Sequence, residues 1–169
     1  MTLATASMLT IGAAADTRDQ RVCSIPALAG RVVDATLTDG PMTGGPMMNA
    51  ANGQTTGAMM RLSLNKTTVA RGNVRFIAIN AGNTMHELLV LPLAPNQIVG
   101  TRAVGADARI DENGSLGEAS RTCAAGSGDG IASNESSWVT ISVPAGRYEL
   151  VCNLPRHYAA GMYAQLTVV

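Results

Sequence analysis

Near the end of the chain, in RYELVCNLPRHYAAGMYAQLTVV (residues 147–169), a thiol, an imidazole and a thioether follow one another at equal steps of five residues: Cys152, His157 and Met162. A β-rich run flanks them on each side, which places all three on one loop between two strands. The 169 residues contain only two histidines. The second, His86 in NTMHELLVL, stands where another apolar strand begins. If these four side chains act together, the fold must carry residue 86 to a loop that comes much later in the sequence, so the site is a product of the whole fold.

Two imidazoles, one thiolate and one weak axial thioether are the donors of a type 1, or blue, copper electron-transfer site. Thiolate and thioether favour Cu(I) and imidazole suits both oxidation states, so an electron can move without large rearrangement. A single His or Cys at a strand end is more often packing than ligand. The joint pattern is what points to metal: one histidine falls inside the Cys-to-Met loop and the other opens an apolar strand. Zinc would accept the cysteine and histidines, but a structural zinc site wants four nitrogen or thiolate donors and rarely a thioether. Met162 therefore favours copper.

The remaining sequence reads as short, turn-punctuated strands. RVVDATLTD (31–39) alternates apolar and polar residues and stops at Gly40-Pro41. MRLSLN (60–65) and VRFIAIN (74–80) follow, the latter apolar on both faces. HELLVLPL (86–93) carries Pro92, which implies a strand end or an edge position. WVTISV (138–143) alternates cleanly, and Pro144-Ala145-Gly146 turns the chain into the last two strands around the Cys152 loop. With seven to eight strands and no long amphipathic helix, the expected fold is an all-β, antiparallel Greek-key β-sandwich.

Two irregular segments interrupt this pattern. Residues 41–60 form a Gly-, Pro- and Asn-rich loop bearing Met42, Met47, Met48, Met59 and Met60. It reads either as flexible apolar filler over a sandwich edge or as a copper-acquisition or docking surface. Residues 94–136 form a long connection in which LGEASRTC (116–123) is expected to supply one or two helical turns. GSGDG (126–130) lacks the Lys-Ser/Thr of a phosphate cradle, and Asp111-Glu112-Asn113-Gly114 fails the spacing of a calcium loop, so both read as turns.

Composition narrows the partners. Net charge is zero and charged residues make up 14%, which gives no electrostatic basis for binding nucleic acid or an anionic membrane. With Cys152 assigned to metal, Cys23 and Cys123 remain as a pair that an oxidising compartment would join. Residues 1–28 form an extension with signal-like apolar and small residues, including Ala13-Ala14-Ala15 as a cleavage motif, but without the expected basic start. This segment reads either as an export signal truncated at its start or as a flexible tail. Its apolar run is too short to span a bilayer. Residues 29–169 make one domain, expected to be exported to the periplasm, the cell envelope or the outside, and monomeric.

YELVCNLPRHYAAGMYAQLTV resembles the C-terminal copper loop of cupredoxins, and its four-residue gaps on each side of the histidine resemble the rusticyanin and sulfocyanin groups. The segment from Met60 to Leu93, with TTVARGNVRFIAINAGNTMHELLVLPL, also resembles the sulfocyanin-like group, so the resemblance covers most of residues 31–169. It implies a cupredoxin fold and one copper ion held by His86, Cys152, His157 and Met162, shuttling single electrons rather than catalysing a reaction. Many plastocyanin- and azurin-like cupredoxins have Asn after the first ligand histidine; here it is Glu87. Glu87 and Asn153 are the candidates for tying the ligand segments together. Pro155, Tyr158, Ala159 and Ala160 would form an apolar rim around His157 for brief contact with redox partners. Arg156 interrupts that rim, either to select an acidic partner or as a solvated charge. The rival function is a copper carrier or buffer, supported by the Met-rich loop. A copper enzyme would need a second, histidine-rich site, and no histidine is left for one.

Overall fold

The structure, a computed structural model, describes residues 23–27, 31–39 and 60–169. Most of the N-terminal extension, its boundary at 28/29 and the Met-rich loop up to Met59 lie outside the described residues. Nine strands are present among those described: β1 (Arg31–Thr38), β2 (Arg61–Leu64), β3 (Thr68–Val69), β4 (Gly72–Asn80), β5 (Leu88–Leu93), β6 (Gly117–Ala119), β7 (Ser136–Val143), β8 (Gly146–Val151) and β9 (Tyr163–Val168). They form a four-stranded sheet in the order β2-β1-β4-β7 and a five-stranded sheet in the order β3-β9-β8-β5-β6. No helix of the described residues is long and apolar enough to cross a membrane.

Period-two patterning explains how the sheets face each other. In β1 the alternation buries Val33, Ala35 and Leu37, while their neighbours stay partly exposed. These residues join Val74, Phe76 and Ala78 of β4, and Leu88, Val90, Leu150 and Leu166 from the opposite sheet, in one core. β5 is different, because its Leu88–Leu91 run is buried on both faces. Leu89 and Leu91 point away from the main core and pack in a second cluster with Val151, Ile110 and Tyr158. The long connection 94–136 is therefore a cover for the outer face of this sheet, which explains why HELLVLPL has no polar alternation.

The structure departs from the sequence reading in three places. The described residues form nine strands, and the pairing is mixed rather than purely antiparallel, with β1 parallel to β4 and β3 parallel to β9. A parallel pair needs a crossover; here the chain leaves β1 through β2 and β3 before β4 returns on the other side of β1. The expected helical turns at 116–123 are replaced by β6. Its backbone pairs with the free edge of β5, Leu88↔Ala119 to Val90↔Gly117, and tertiary pairing of this kind overrides local propensity. A Cβ on Gly117 would lie 2.9 Å from Ile141 Cδ1, so glycine lets this strand approach β7. Pro92 lies in the half of β5 beyond β6, where one edge is unpaired, as expected for proline.

Cys23 and Cys123 form a disulfide that closes 100 residues of sequence. Beside it, Arg75 of β4 donates from Nη1 to the Pro26 carbonyl, so residues 23–27 lie along the first sheet. Replacing both cysteines by serine is expected to lower unfolding free energy by up to about 4 to 5 kcal/mol on the chain-entropy account. Denaturant titration measures this, and an unshifted midpoint would contradict it.

Candidate metal centre

The register of two neighbouring strands brings the distant donors together. β5 pairs with β8 so that Leu89 faces Val151. Two residues further along the same register Glu87 would come opposite Asn153, but there side chains take over the ladder. The Glu87 N–H points at Cys152 Sγ, 3.3 Å away, and the Asn153 N–H donates to Glu87 Oε1 at 3.0 Å. His86, immediately before, is held by a backbone bridge to Ile131: Ile131 N–H donates to the His86 carbonyl at 2.7 Å and His86 N–H to that of Ile131 at 3.3 Å.

The loop from Cys152 to Met162 folds back on itself for a local reason. After Leu154 the chain makes one helical turn, with Ala160 N–H donating to the Arg156 carbonyl. Gly161 ends that turn at φ +102°, Gly161 N–H donating to Tyr158 O and Met162 N–H to His157 O. This bond pair with a left-handed glycine is a Schellman cap. It returns the chain to Cys152, whose N–H donates to the Met162 carbonyl at 3.0 Å. The five-residue steps therefore hold a turn, a cap and a return.

His86 Nδ1, His157 Nδ1 and Cys152 Sγ form a triangle with edges of 3.2, 3.3 and 3.8 Å. A trigonal ion bonded to nitrogen at about 2.0 Å and to sulfur at about 2.3 Å needs edges of about 3.5 and 3.7 Å. The three donors thus stand close to the spacing that one ion requires, with two edges slightly short. Cys152, His86 and Met162 are fully buried and His157 is partly exposed. Burial lowers the pKa of both histidines, aided at His157 by the neighbouring His86 and opposed at His86 by Asp39, so both stay neutral and able to ligate. Burial also pushes the Cys152 thiol up to about 12, against the N–H groups of Leu154 and Glu87. A cation must therefore displace that proton to gain the thiolate.

The surrounding residues sort themselves by contact. Asn153, fully buried, accepts from Ile110 N–H at 2.8 Å and donates to the Ile110 carbonyl at 3.0 Å and to Glu112 at 2.7 Å. Its side chain ties the loop to the long connection, while Glu87 makes the link between the two ligand segments. Pro155, Arg156 and Ala159 are exposed and Ala160 partly so. Tyr158 was expected on the same rim, but it is 2% exposed. Its hydroxyl donates to buried Glu149 at 2.9 Å and accepts the Arg102 N–H at 3.1 Å, and Arg102 Nε also reaches Glu149 at 2.6 Å. Tyr158 thus anchors the loop from beneath. Asp39, absent from the sequence reading, reaches His86 Nε2 at 3.2 Å; its only sequence signal is an acid placed just before Gly40-Pro41. Among the described residues, a second grouping of metal-type donors is the Cys23–Cys123 disulfide with Glu135. Its sulfurs are already bonded to each other.

Residues 41–169 match the model of the Sulfocyanin (SoxE) domain. The chain belongs to the sulfocyanin family of cupredoxins. No curated protein matches it in sequence. Among solved structures it is similar to rusticyanin from Thiobacillus ferrooxidans, at 17% identity over 83% of this chain and 79% of that one, TM-score 0.49. It is also similar to auracyanin B, at 21% identity over 86% and 93%, TM-score 0.48. Reduced auracyanin from the photosynthetic bacterium Roseiflexus castenholzii shares 19% identity over 63% and 87%, TM-score 0.46.

Glu87 offers a test of how the metal-free site is built. Burial, with Glu118 adding to it, raises its pKa from 4.5 to about 7. The native state therefore holds a proton that the unfolded chain has released, and stability falls as pH rises from about 4.5 to about 7. The two histidines titrate in the opposite sense, so the comparison is between the wild type and Glu87→Gln, both without metal. The advantage of wild type over variant is expected to shrink by up to about 3 kcal/mol across that window, read by denaturant unfolding at each pH. A difference that stays flat with pH would show that Glu87 titrates normally.

Proposed function

We propose that this protein is a mononuclear type 1 copper protein that carries single electrons between redox partners. The observation that carries the reading is the preformed triangle of two imidazole nitrogens and one thiol sulfur at the end of a β-sandwich, with the buried Met162 joined through its carbonyl to the Cys152 N–H. His86, Cys152 and His157 hold the ion and Met162 supplies the weak fourth donor, the set that selects copper over zinc. Bound copper supplies a one-electron Cu(I)/Cu(II) couple.

The protein's part is to keep these donors still. His86 and Cys152 are fixed by the β5–β8 register, His157 and Met162 by the capped turn between them. The Glu87 N–H directed at the sulfur favours the thiolate. His157 is the one imidazole with a surface outlet, and Pro155, Ala159 and Ala160 around it form a small apolar rim suited to brief encounters. Arg156, exposed on the same rim, favours a partner with an acid beside its own apolar patch. No further histidine is present for a second, catalytic copper. The disulfide supports an exported, oxidising location, where the protein acts as a monomer. The carrier or buffer alternative rests on Met42, Met47, Met48 and Met59, which lie outside the described residues.

Adding Cu(II) to the metal-free protein is expected to give an intense visible thiolate-to-copper band that vanishes in Cys152→Ser. The metal should remain bound through repeated reduction and reoxidation. A colourless protein that takes up zinc in preference, or one that surrenders Cu(I) on each reduction, would sink the proposal.

A further inference from the structure

His86 presents Nδ1 to the triangle, so to ligate there it has to carry its ring proton on Nε2. That nitrogen is fully buried, and a buried N–H without an acceptor is costly. The acceptor is Asp39 Oδ1, 3.2 Å away at the end of β1, in the sheet opposite to the one that carries Cys152. The carboxylate is itself held in place, because both of its oxygens accept the Asn83 N–H, at 2.8 and 3.0 Å. The turn that offers this N–H is braced by the fully buried Asn80. Its Nδ2 donates to the carbonyls of Thr84 and Ile131, both at 2.8 Å, and its Oδ1 accepts from Gly82 N–H at 2.9 Å.

Space for the pair is also specific. A Cβ on Gly82 would fall 1.6 Å from Asp39 Oδ1 and 2.9 Å from His86 Nε2. No side chain can be added there without expelling the carboxylate. A backbone carbonyl would fix the same tautomer without adding charge; here the acceptor is a carboxylate whose side chain is only 15% exposed. An anion one imidazole away from a metal ion stabilises the more highly charged oxidation state.

We propose that Asp39 is a positioning residue of the copper centre, fixing His86 as the Nε2–H tautomer and, through its charge, favouring Cu(II) over Cu(I). The inference rests on the electron-carrier reading for its second half, while the first half concerns the metal-free protein alone. Metal ligands are commonly oriented by such outer carboxylates, whose loss costs about 10- to 100-fold in affinity.

The test has two arms on the full chain. In the metal-free protein, nitrogen NMR of the His86 ring is expected to show the Nε2–H tautomer in the wild type and a mixture with Nδ1–H in Asp39→Ala. An Nδ1–H ring in the wild type, or an unchanged ring in the alanine variant, overturns the tautomer role. In the copper-loaded protein, Asp39→Asn keeps an acceptor but loses the charge. Its Cu(II) affinity is expected to fall about tenfold more than its Cu(I) affinity, which for one electron is a rise of about 59 mV in reduction potential. An unmoved potential in a variant that melts like the wild type overturns the charge role. Should Asp39→Ala not fold, the wild-type ring and the asparagine variant still decide the matter. A wild type that never develops the thiolate-to-copper band defeats the electron-carrier reading and the charge role with it, and leaves the tautomer result to stand or fall on its own.

Discussion

The pairing of β5 with β8 is the constraint on which the site depends. A shift of one residue in that register would turn every side chain of one strand to the other face. It would bury polar groups in the core and separate residue 86 from residue 152 together. On β8 the alternation helps hold this register, since Leu150 faces the main core while Glu149 lies on the opposite face with Arg102 and Tyr158. Where the ladder ends, a thiol and a carboxylate take the places of two backbone carbonyls. The same hydrogen bonds that finish the sheet thus set the place of the Cys152 sulfur beside residue 87.

The long connection shares this double role. Ile110 fills the apolar outer face of the second sheet, and its backbone N–H and carbonyl both engage the Asn153 side chain. The Ala108 carbonyl accepts the Arg156 N–H, so the same segment also supports Arg156 at φ +74° in the ligand loop. Further on, Ile131 clamps the backbone of His86. Packing, backbone satisfaction and ligand placement are met by one segment whose sequence shows no periodicity. The Glu149–Arg102–Tyr158 network completes the arrangement, since a fully buried carboxylate is tolerated only where its donors are in place.

These arrangements account for what could be read in the sequence and what could not. The donor set was legible because histidine is so scarce that each copy is informative, and the strands around it because β1 and β7 alternate with period two. The position of Glu87 after His86 marked it for a contact with the loop, and its Oε1 accepts the Asn153 N–H. The mixed pairing was not, because parallel and antiparallel neighbours present the same side-chain period; only the path of the chain distinguishes them. β6 was missed because three residues on a free strand edge are held by tertiary hydrogen bonds, with no pattern of their own. Tyr158 was misplaced for a related reason. An aromatic residue beside exposed Ala159 and Pro155 reads as surface, and its burial follows from Glu149 and Arg102, which reach it from distant parts of the chain. Asp39 belongs with these, as an acid at a strand end whose partner lies across the sandwich.

A site assembled this way has little freedom to change shape with its contents. The three donor atoms already stand at nearly the edges that a bound ion requires, and each is held by backbone: His86 by the bridge to Ile131, Cys152 by the Met162 carbonyl and the Glu87 N–H, His157 by the turn ending at Gly161. Rearranging any of them would expose a buried polar group or break a cap, at a cost of about 1 to 3 kcal/mol for each group left unpaired. A carrier that must release its metal gains from ligands that can swing away, whereas an electron-transfer site gains from ligands that cannot, because every displacement between oxidation states adds to the barrier for moving the electron. The hydrogen bonding around the triangle is therefore evidence about function as well as about fold. It holds His86, Cys152 and His157 in one arrangement, and of these three His157 alone is partly exposed.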